Sequence, residues 1–367
     1  MNTSAQNTDF DQATLADWGE FRFIDEVLLP LINSDNNRVT IGNDCAVIPM
    51  RGSDRRLIVT SDASPVPLAS QLGMDDWFVW GWYSVLINAS DLAAAAAEPL
   101  AFTTSVEAPA TMSVRSFRDF FTGILAGCRA FNLANAGGNI RQAPRFECHG
   151  TAIGECPPDR EPLTRSGAKP GDALVAVGSL GRCICAYLKA RVDGLASLDN
   201  SQQDSLLRPT ARIREMIALA EQRFVTSASD NSDGVLGAIW NILEKSNVGA
   251  ILELDQSILA DEILQTAKRF DLNPWNLAFF WGDWQVIASI DGRKFDDFLR
   301  FAAAQSIPYE YLGRIVDGPI QLLGRSGTQI HKLNLIRNEN FKADSYNSAT
   351  QDQVNYLLHT PLIGGRP

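Results

Sequence analysis

A proline- and glycine-rich segment, CPPDREPLTRSGAKPGD (156–172), interrupts a chain in which strand-like and helix-like patterns alternate on both sides. Such a cluster of turn-forming residues is typical of a domain boundary. Because 367 residues are too many for one small core, two domains of ordinary size are predicted, with the boundary at about residue 160. The predicted parts are an N-terminal tail (1–18), a first domain (19–160), a second domain (161–337) and a polar C-terminal tail (338–367).

The hydrophobic pattern predicts an α/β plus α+β architecture, since strands and helices alternate in both halves of the chain. Strands are predicted at 56–60, 146–155, 173–177, 250–254 and 285–290. Helices are predicted at 19–32, 75–97, 113–131, 182–192, 210–223, 234–245 and 294–305. From about residue 338 the pattern weakens, which predicts a weakly ordered tail with a docking helix at best.

Composition and charge narrow the class of partner. Hydrophobic residues make up 45% of the chain and charged residues 20%, which indicates a packed globular protein. The formal net charge of −11, without a basic cluster, disfavours binding to nucleic acid or to an anionic membrane surface. The longest apolar stretch is broken by Asn88, Ser90 and Asp91 before it reaches the length of a membrane span. We therefore expect a cytoplasmic protein.

The six cysteines are scattered and form no paired CxxC pattern. This distribution indicates neither a disulfide framework nor a zinc site. We expect reduced and mostly buried thiols.

Acidic side chains recur where strands or helices are expected to end. The four motifs are IGNDCAV (41–47), VTSD (59–62), NASDLAAAAAEP (88–99) and ASDNSDGV (228–235). Each motif alone has an ordinary interpretation as a helix cap, a turn or a solvated loop. Carboxylates beside apolar strands are costly to bury, however, and Mg²⁺ takes such oxygen ligands together with phosphates. The residues alone leave both a set of turns and a metal–phosphate site open.

The order and spacing of these motifs resemble those of the thiamine-monophosphate kinase family, in the superfamily of aminoimidazole ribonucleotide synthetase, also called PurM-like. Three further segments carry the resemblance: GEFRFI (19–24), LTRSGAKPGD (163–172) and RPTAR (208–212). The match extends over roughly residues 19–330, which makes it far more specific than a single glycine motif.

The resemblance implies an ATP- and Mg²⁺-dependent enzyme with a two-domain PurM-like fold. The strands of its N-terminal domain would pair across a homodimer, ATP would lie near the dimer interface, and the C-terminal domain would be α+β. The implied metal ligands are Asp44, Thr60, Ser61, Asp62, Asp91, Asp230 and Asp233. The implied nucleotide contacts are Gly138, Asn139, Arg165 and Ser232, and the implied catalytic residues are Asp62, Asp233 and Arg165. On this basis we expect ASDNSDGV to form a cation site in preference to a simple turn.

The departures from the family pattern concentrate at the site. Asn43 and Asn139 stand where the family has acids, so each removes one negative charge from the metal site. No histidine follows VTSD, although the family has one there. Gly282, in FWGDWQV (280–286), replaces an acid that contacts substrate. These changes predict an acceptor other than thiamine phosphate.

Two other features have both a structural and a functional interpretation. Trp281 and Trp284 could stack on a planar ligand, but core packing is the favoured interpretation. The glycines of VGSLGR (177–182) could approach a phosphate, but a turn between a strand and a helix uses the same residues, and this simpler interpretation is favoured.

The leading hypothesis is a phosphotransferase that acts on a small molecule. An ATP-dependent synthetase or ligase, which activates a carbonyl or carboxylate oxygen, is the first alternative and shares the metal and nucleotide requirement. A non-catalytic nucleotide-binding protein is the second alternative, because loss of the acid at Asn139 could stop turnover without abolishing binding.

Overall fold

Two β-sheets, one in each half of the chain, form the framework of the computed structural model, which describes residues 13–35, 39–74, 76–341 and 350–363. The first sheet has the order β1-β2-β5-β3-β4, and only its β3–β4 pair is parallel. Its strands are β1 (Ala46–Pro49), β2 (Arg56–Ala63), β3 (Glu98–Ala108), β4 (Ala134–Gln142) and β5 (Glu147–Cys156).

The second sheet has the order β12-β11-β8-β10-β6-β9-β7 and is also mixed, because β11 pairs in parallel with β8. Its strands are β6 (Ala173–Val177), β7 (Val225–Asp230), β8 (Gly249–Glu253), β9 (Val286–Ile290), β10 (Tyr309–Val316), β11 (Leu322–Ser326) and β12 (Gln329–Lys332).

Helices cover these sheets. Those of the first half are α1 (Leu15–Trp18), α2 (Glu20–Phe23), α3 (Leu29–Asp35), α4 (Trp77–Ala94) and α5 (Val114–Ala130), with a π-helical turn (Ile24–Leu28) joining α2 to α3. Those of the second half are α6 (Arg182–Asp193), α7 (Asn200–Leu207), α8 (Ile213–Glu221), α9 (Val235–Ser246), α10 (Asp261–Phe270), α11 (Pro274–Ala278), α12 (Phe295–Gln305) and α13 (Thr350–His359).

Helix α4 lies in the interior and touches both sheets. Its first turn is capped by the Asp76 carboxylate, which accepts hydrogen bonds from the amides of Phe78 and Val79. Helix α5 crosses it so closely that a Cβ atom at Gly123 would lie 2.0 Å from the carbonyl oxygen of Phe78. Glycine at the crossing therefore allows the two backbones to touch, and this contact fixes the position of α4 beneath the site.

The fold class and most of the predicted elements are confirmed. The predicted strand at 173–177 coincides with β6, and the predicted helices at 75–97 and 113–131 correspond to α4 and α5. Strand β4 was not predicted, because its sequence ANAGGNIRQ lacks the apolar alternation of a half-buried strand and all nine of its residues are exposed. The six cysteines are free and buried, as expected.

Both predicted tails contain helix where the structure describes them. The N-terminal tail includes α1, while residues 1–12 lie outside the described residues. In the C-terminal tail, α13 buries Val354, Leu357 and Leu358. The side-chain amide of Asn276, in α11, donates to the carbonyl of Leu357 at 2.9 Å. The docking helix expected in the C-terminal tail is therefore present, and it packs on the second half of the chain. Within the part of the chain that the structure describes, no helix is both long and apolar enough to cross a membrane.

Candidate active site

Three carboxylates from distant parts of the chain meet between the two sheets. Oxygen atoms of Asp44, Asp91 and Asp230 all lie within 4.8 Å of one another. Asp44 precedes β1, Asp91 lies in the last part of α4, and Asp230 is the final residue of β7. The sequence motifs that contain these residues therefore converge on one acidic cluster, named here for these three aspartates.

Strand β2 brings two more predicted residues to the acidic cluster. The hydroxyl of Thr60 donates to a carboxylate oxygen of Asp91 at 2.5 Å and lies 3.4 Å from Asp62. Thr60 and Asp62 share one face of the strand because side chains alternate along it. The intervening Ser61 instead donates to the carbonyl of Gly150 at 3.0 Å, on the neighbouring strand. The Ser61 hydroxyl is thus engaged within the sheet, and its role as a metal ligand stays a prediction.

Burial and like charge act together on the acidic cluster. Asp91 and Asp230 are only 8% and 5% exposed. Burial raises the pKa of Asp91 well above its usual value, and the charges of Asp62 and Asp230 raise it further. The pKa of Asp230 is likewise raised well above its usual value, first by burial and then by the charges of Asp44 and Asp233. The ionised cluster is therefore unfavourable unless a cation joins it.

Arg165 provides one positive charge at the edge of the acidic cluster. Its Nε and Nη2 atoms donate to the same Asp44 oxygen at 3.0 and 2.7 Å. Burial opposes the charged form, but Asp44 outweighs this effect and raises the pKa of Arg165 above its usual value. The side chain of Asn43 accepts a hydrogen bond from the Arg165 amide at 3.1 Å. Asn43, an amide where the family has an acid, thus holds the segment that carries Arg165.

The loop after β7 carries the remaining acidic residue. The Ser232 hydroxyl lies 3.3 Å from a carboxylate oxygen of Asp230. The side-chain amide of Asn338 lies 3.5 Å from Asp233, and the Asn338 backbone amide donates to the Asp233 carbonyl at 3.0 Å. Burial, followed by the charge of Glu20, raises the pKa of Asp233 to about 7. Residues from both ends of the chain therefore influence this carboxyl group.

A cleft of about 680 Å³ opens over the acidic cluster. It is lined by most of the predicted site residues, namely Asp44, Thr60, Ser61, Asp62, Asp91, Arg165, Asp230, Ser232 and Asp233. A cavity of this size suits a small ligand. The residues singled out by the sequence motifs therefore line a single cleft.

Sequence reasoning missed the wall that α2, the π-helical turn and α3 place on this cleft. Two contacts fix its position: the Asn340 side-chain amide donates to Glu20 at 2.8 Å, and the Arg337 guanidinium lies 3.6 Å from the ring centre of Phe21. Lys245, in α9, also lies 3.3 Å from Asp25. The motif GEFRFI was the available signal, since it belongs to the family pattern.

Two predicted nucleotide contacts do not line the cleft. Gly138 and Asn139 lie on the edge strand β4. Across the first sheet, Asp62 on β2 pairs with Gly150 on β5, Gly150 pairs with Thr104 on β3, and Thr104 pairs with Gly138 on β4. Three strand spacings, or about 14 Å, therefore separate Gly138 from Asp62. A Cβ at Gly138, where φ is +154°, would lie 1.8 Å from the Thr104 carbonyl oxygen. The close strand contact accounts for this glycine, and within one protomer neither residue reaches the acidic cluster.

The segment that departs most from the family pattern is also away from the cleft. Trp281 and Trp284 are each 3% exposed, which confirms that they pack in the core. Gly282 has φ of +106°, and a Cβ there would lie 2.9 Å from the sulfur of Cys183. None of the three lines the cleft. A side chain at position 282 would therefore strain the local backbone and displace Cys183.

The acidic cluster fits a divalent cation on the chemistry of its donors. Asp44, Asp91 and Asp230 offer carboxylate oxygens, the ligand type that Mg²⁺ prefers. Their mutual repulsion in a buried setting is the condition that a bound cation relieves. Asp62 and Thr60 extend the same donor set toward the open cleft.

Both parts of the chain match known family domains. Residues 42–156 match the AIR synthase related protein N-terminal domain, and residues 169–323 match the AIR synthase related protein C-terminal domain. Together the two matches cover more than half of the chain.

Individual relatives agree with this assignment. The thiamine-monophosphate kinase of Pyrococcus horikoshii is 26% identical over 328 residues, which cover 88% of this chain and 97% of that protein. That of Caulobacter vibrioides is 27% identical over 311 residues, covering 82% of this chain and 84% of the relative.

Solved structures share the fold. The thiamine-monophosphate kinase of Stenotrophomonas maltophilia is 25% identical, with a TM-score of 0.63 over 83% of this chain and 96% of that one. A structure described as AaThiL complexed with AMPPCP and TMP is 21% identical, with a TM-score of 0.71 over 85% of this chain and 95% of that one. At this identity the second comparison shows a common fold.

Proposed function

Because the chain belongs to the AIR synthase related family in both of its domains, we propose that it is an ATP- and Mg²⁺-dependent phosphotransferase that acts on a small molecule. The observation that carries the proposal is the acidic cluster with Arg165 at its edge, inside a cleft of about 680 Å³. The named relatives support the same reaction class, since they are thiamine-monophosphate kinases.

In this proposal Asp44, Asp91 and Asp230 hold Mg²⁺, with Asp62 and Asp233 completing the set on either side. Bound Mg²⁺ would neutralise charge on the phosphates of ATP. Thr60 keeps the Asp91 carboxylate oriented through its hydrogen bond. Asn43 accepts a hydrogen bond from the Arg165 backbone amide and thereby holds the guanidinium group at the edge of the acidic cluster. Ser232 and Arg165 are the proposed phosphate contacts of the protomer.

Arg165 has a double role in the proposal. In the structure its planar group binds Asp44. Guanidinium groups also match phosphate oxygens in geometry and charge. A cation held by Asp44 would weaken this contact, and Arg165 would then be able to bind a phosphate group of the nucleotide.

We further propose that the acceptor differs from thiamine monophosphate. The support is the position of Gly282, whose backbone conformation and contact with Cys183 disfavour the acid that the family has there. Because Gly282 does not line the cleft, this position supplies no carboxylate that would attract a thiazolium cation. The relatives make thiamine monophosphate the first acceptor to test.

The test is ³¹P NMR of reactions that contain ATP, Mg²⁺ and one acceptor each, beginning with thiamine monophosphate. A new phosphoester or pyrophosphate signal together with ADP supports the phosphotransferase. Free orthophosphate with a condensed product would instead support the synthetase. Nucleotide binding without turnover of any acceptor would support the non-catalytic alternative. Absence of nucleotide binding in the presence of Mg²⁺ would contradict all three hypotheses.

A homodimer forms part of the proposal. All nine residues of β4 are exposed, although a strand at the edge of a packed sheet normally buries one face. A second copy that covers β4 would supply the missing neighbour, and Gly138 and Asn139 could then contact nucleotide at the dimer interface. Sedimentation equilibrium of the full chain measures the assembly: a mass of two chains supports the dimer, and a mass of one chain at micromolar concentration contradicts it.

A further inference from the structure

The helical wall of the cleft, formed by α2, the π-helical turn and α3, is weakly anchored to the rest of the chain. No residue of α2 or of the π-helical turn is buried. The three segments pack chiefly against one another. A segment with little buried apolar surface has low local stability. The position of the helical wall over the acidic cluster therefore depends on a small number of specific contacts.

Two of these contacts come from residues 337–340, which follow the second sheet in the chain. One oxygen atom of Glu20 accepts hydrogen bonds from the backbone amide and the side-chain amide of Asn340, at 3.2 and 2.8 Å. The Arg337 guanidinium lies 3.6 Å from the ring centre of Phe21, and its side chain is only 15% exposed. A cation is attracted more strongly to an aromatic ring when water is excluded. The first two residues of α2 are thus held by the C-terminal part of the chain.

An ion pair between Lys245 and Asp25, at 3.3 Å, supplies another contact of the helical wall. The two side chains are 35% and 50% exposed. Exposed ion pairs contribute little to stability, because water screens them and both side chains lose freedom. The contacts made by Arg337 and Asn340 are therefore the stronger polar attachment of the wall.

The same C-terminal segment also touches the part of the chain that carries Asp233. The backbone amide of Asn338 donates to the Asp233 carbonyl at 3.0 Å. A Cβ atom at Gly237, in α9, would lie 2.9 Å from the Cβ of Arg337 and 3.3 Å from that of Asp233. Glycine at this position therefore lets Arg337 run directly beside Asp233. Residues 337–340 thus contact both the helical wall and the loop at the edge of the acidic cluster.

The attachment brings one further negative charge to the cleft. Glu20 and Asp233 both line it. Burial raises the pKa of Asp233 to about 7, and the charge of Glu20 is the next contribution to this rise. Asn340 is neutral, so it orients the Glu20 carboxylate without cancelling its charge. A negative charge held on this side of the cleft favours a cation at the acidic cluster.

We propose that Arg337 and Asn340 are positioning residues that hold the helical wall, and with it the Glu20 carboxylate, beside the acidic cluster and thereby raise the affinity of the cleft for a divalent cation. Asn340 acts through Glu20, and Arg337 acts through Phe21. The inference rests on the proposed function, because it takes the acidic cluster as the cation site. The C-terminal segment then belongs to the machinery of the site.

Isothermal calorimetry of the metal-free full chain with Mg²⁺ tests the role of Asn340. Asn340→Ala should weaken Mg²⁺ binding about fivefold, because the released Glu20 carboxylate moves into solvent and away from the cation. Glu20→Gln should weaken it to a similar extent. The double variant Glu20→Gln/Asn340→Ala should bind no more weakly than Glu20→Gln alone, because Asn340 acts through that carboxylate. A purely structural role of Asn340 would give additive losses.

Asn334→Ala is the matched control, since this asparagine donates to the Pro361 carbonyl at 2.8 Å and does not line the cleft. It should bind Mg²⁺ as the parent chain does. Hydrogen exchange followed by mass spectrometry tests the attachment itself. Arg337→Gln and Asn340→Ala should each increase exchange in residues 20–35, while β6 stays protected and Asn334→Ala matches the parent. Thermal unfolding checks folding; if Arg337→Gln fails to fold, Asn340→Ala decides.

The outcomes separate this inference from the proposed function. Parental Mg²⁺ affinity in Asn340→Ala, additive losses in the double variant, or unchanged exchange of residues 20–35 would overturn the inference. Each of these results leaves the proposed function standing when the parent chain binds Mg²⁺ and nucleotide. Failure of the parent chain to bind Mg²⁺ would instead overturn the proposed function, and this inference with it.

Discussion

Arg165 and Asp44 are joined by two hydrogen bonds to a single carboxylate oxygen, at 3.0 and 2.7 Å, although 121 residues separate them in the chain. This contact ties the segment that links the two sheets to the loop before β1. Among the residues that the structure describes, no arginine or lysine makes an equivalent contact with Asp91 or Asp230. The acidic cluster is therefore organised for a cation as well as for Arg165.

Replacement of one carboxylate of the acidic cluster should lower the activity but raise the stability of the metal-free protein. Asp230→Asn removes a metal ligand, so ATP turnover should fall at least about 100-fold. In EDTA the same variant should unfold a few degrees higher than the parent, because it relieves buried repulsion with Asp44 and Asp233. Coupled ADP detection and thermal unfolding measure the two effects.

Asp159→Asn is the matched control, because Asp159 is exposed and lies outside the cleft. It should change neither the turnover nor the unfolding temperature. A parental turnover rate in Asp230→Asn would contradict the proposed metal site.

The stability of the metal-free protein should fall as the pH rises from 5 to 8. Asp233 has a folded pKa of about 7, and those of Asp91 and Asp230 are also raised, in each case chiefly by burial. An unfolded aspartate has a pKa of about 4. Between these values the folded chain binds more protons than the unfolded chain, so the free energy of unfolding decreases with increasing pH.

Urea unfolding in EDTA at several pH values measures this slope. A saturating concentration of Mg²⁺ should reduce the slope, because a bound cation takes the place of the protons. If the free energy of unfolding rose over the same pH interval both with and without Mg²⁺, the acidic cluster would not dominate the pH dependence of stability.

The sequence indicated the acidic residues that line the cleft better than it indicated the helical wall of the cleft. Asp44, Asp62, Asp91 and Asp230 could be found because each sits beside an apolar strand or helix and belongs to a family motif. The distance between them could not be predicted, since it depends on how α4 is placed between the sheets. The role of Glu20 was also out of reach, because its partner Asn340 lies 320 residues away.

The secondary structure was likewise predicted only in part. Helices α4 and α5 have regular apolar patterns, and they were predicted to within about three residues at each end, as is usual for boundaries. Strand β4 contains two glycines and no alternation, and its pairing with β3 depends on the backbone contact between Gly138 and Thr104. A sequence pattern carries no signal for a contact of that kind.

Alanine substitutions at the crossing of α4 and α5 should destabilise the protein to different extents. Gly123→Ala places a methyl group 2.0 Å from the Phe78 carbonyl oxygen, so the variant should lose about 3 kcal/mol of unfolding free energy. In Gly127→Ala the new methyl group would lie 3.0 Å from the Val85 side chain and 3.5 Å from the Trp82 carbonyl oxygen, so this variant should lose less. Urea unfolding of both variants measures the difference, and equal losses would mean that the crossing is not tightly packed.

Restoring the family's acid at position 282 tests whether this residue can reach the acceptor. Gly282→Glu introduces a side chain at φ of +106° and 2.9 Å from the Cys183 sulfur, so it should cost about 2 kcal/mol of stability. It should not create activity toward thiamine monophosphate, because residue 282 does not line the cleft above the acidic cluster. Gly282→Ala is the control, since it imposes the same backbone cost without the carboxylate. If Gly282→Glu phosphorylated thiamine monophosphate while Gly282→Ala did not, the carboxylate would have reached the acceptor, and the position of residue 282 outside the acceptor site would be wrong. Phosphorylation of thiamine monophosphate by the parent chain is the result that would overturn the proposal of a different acceptor.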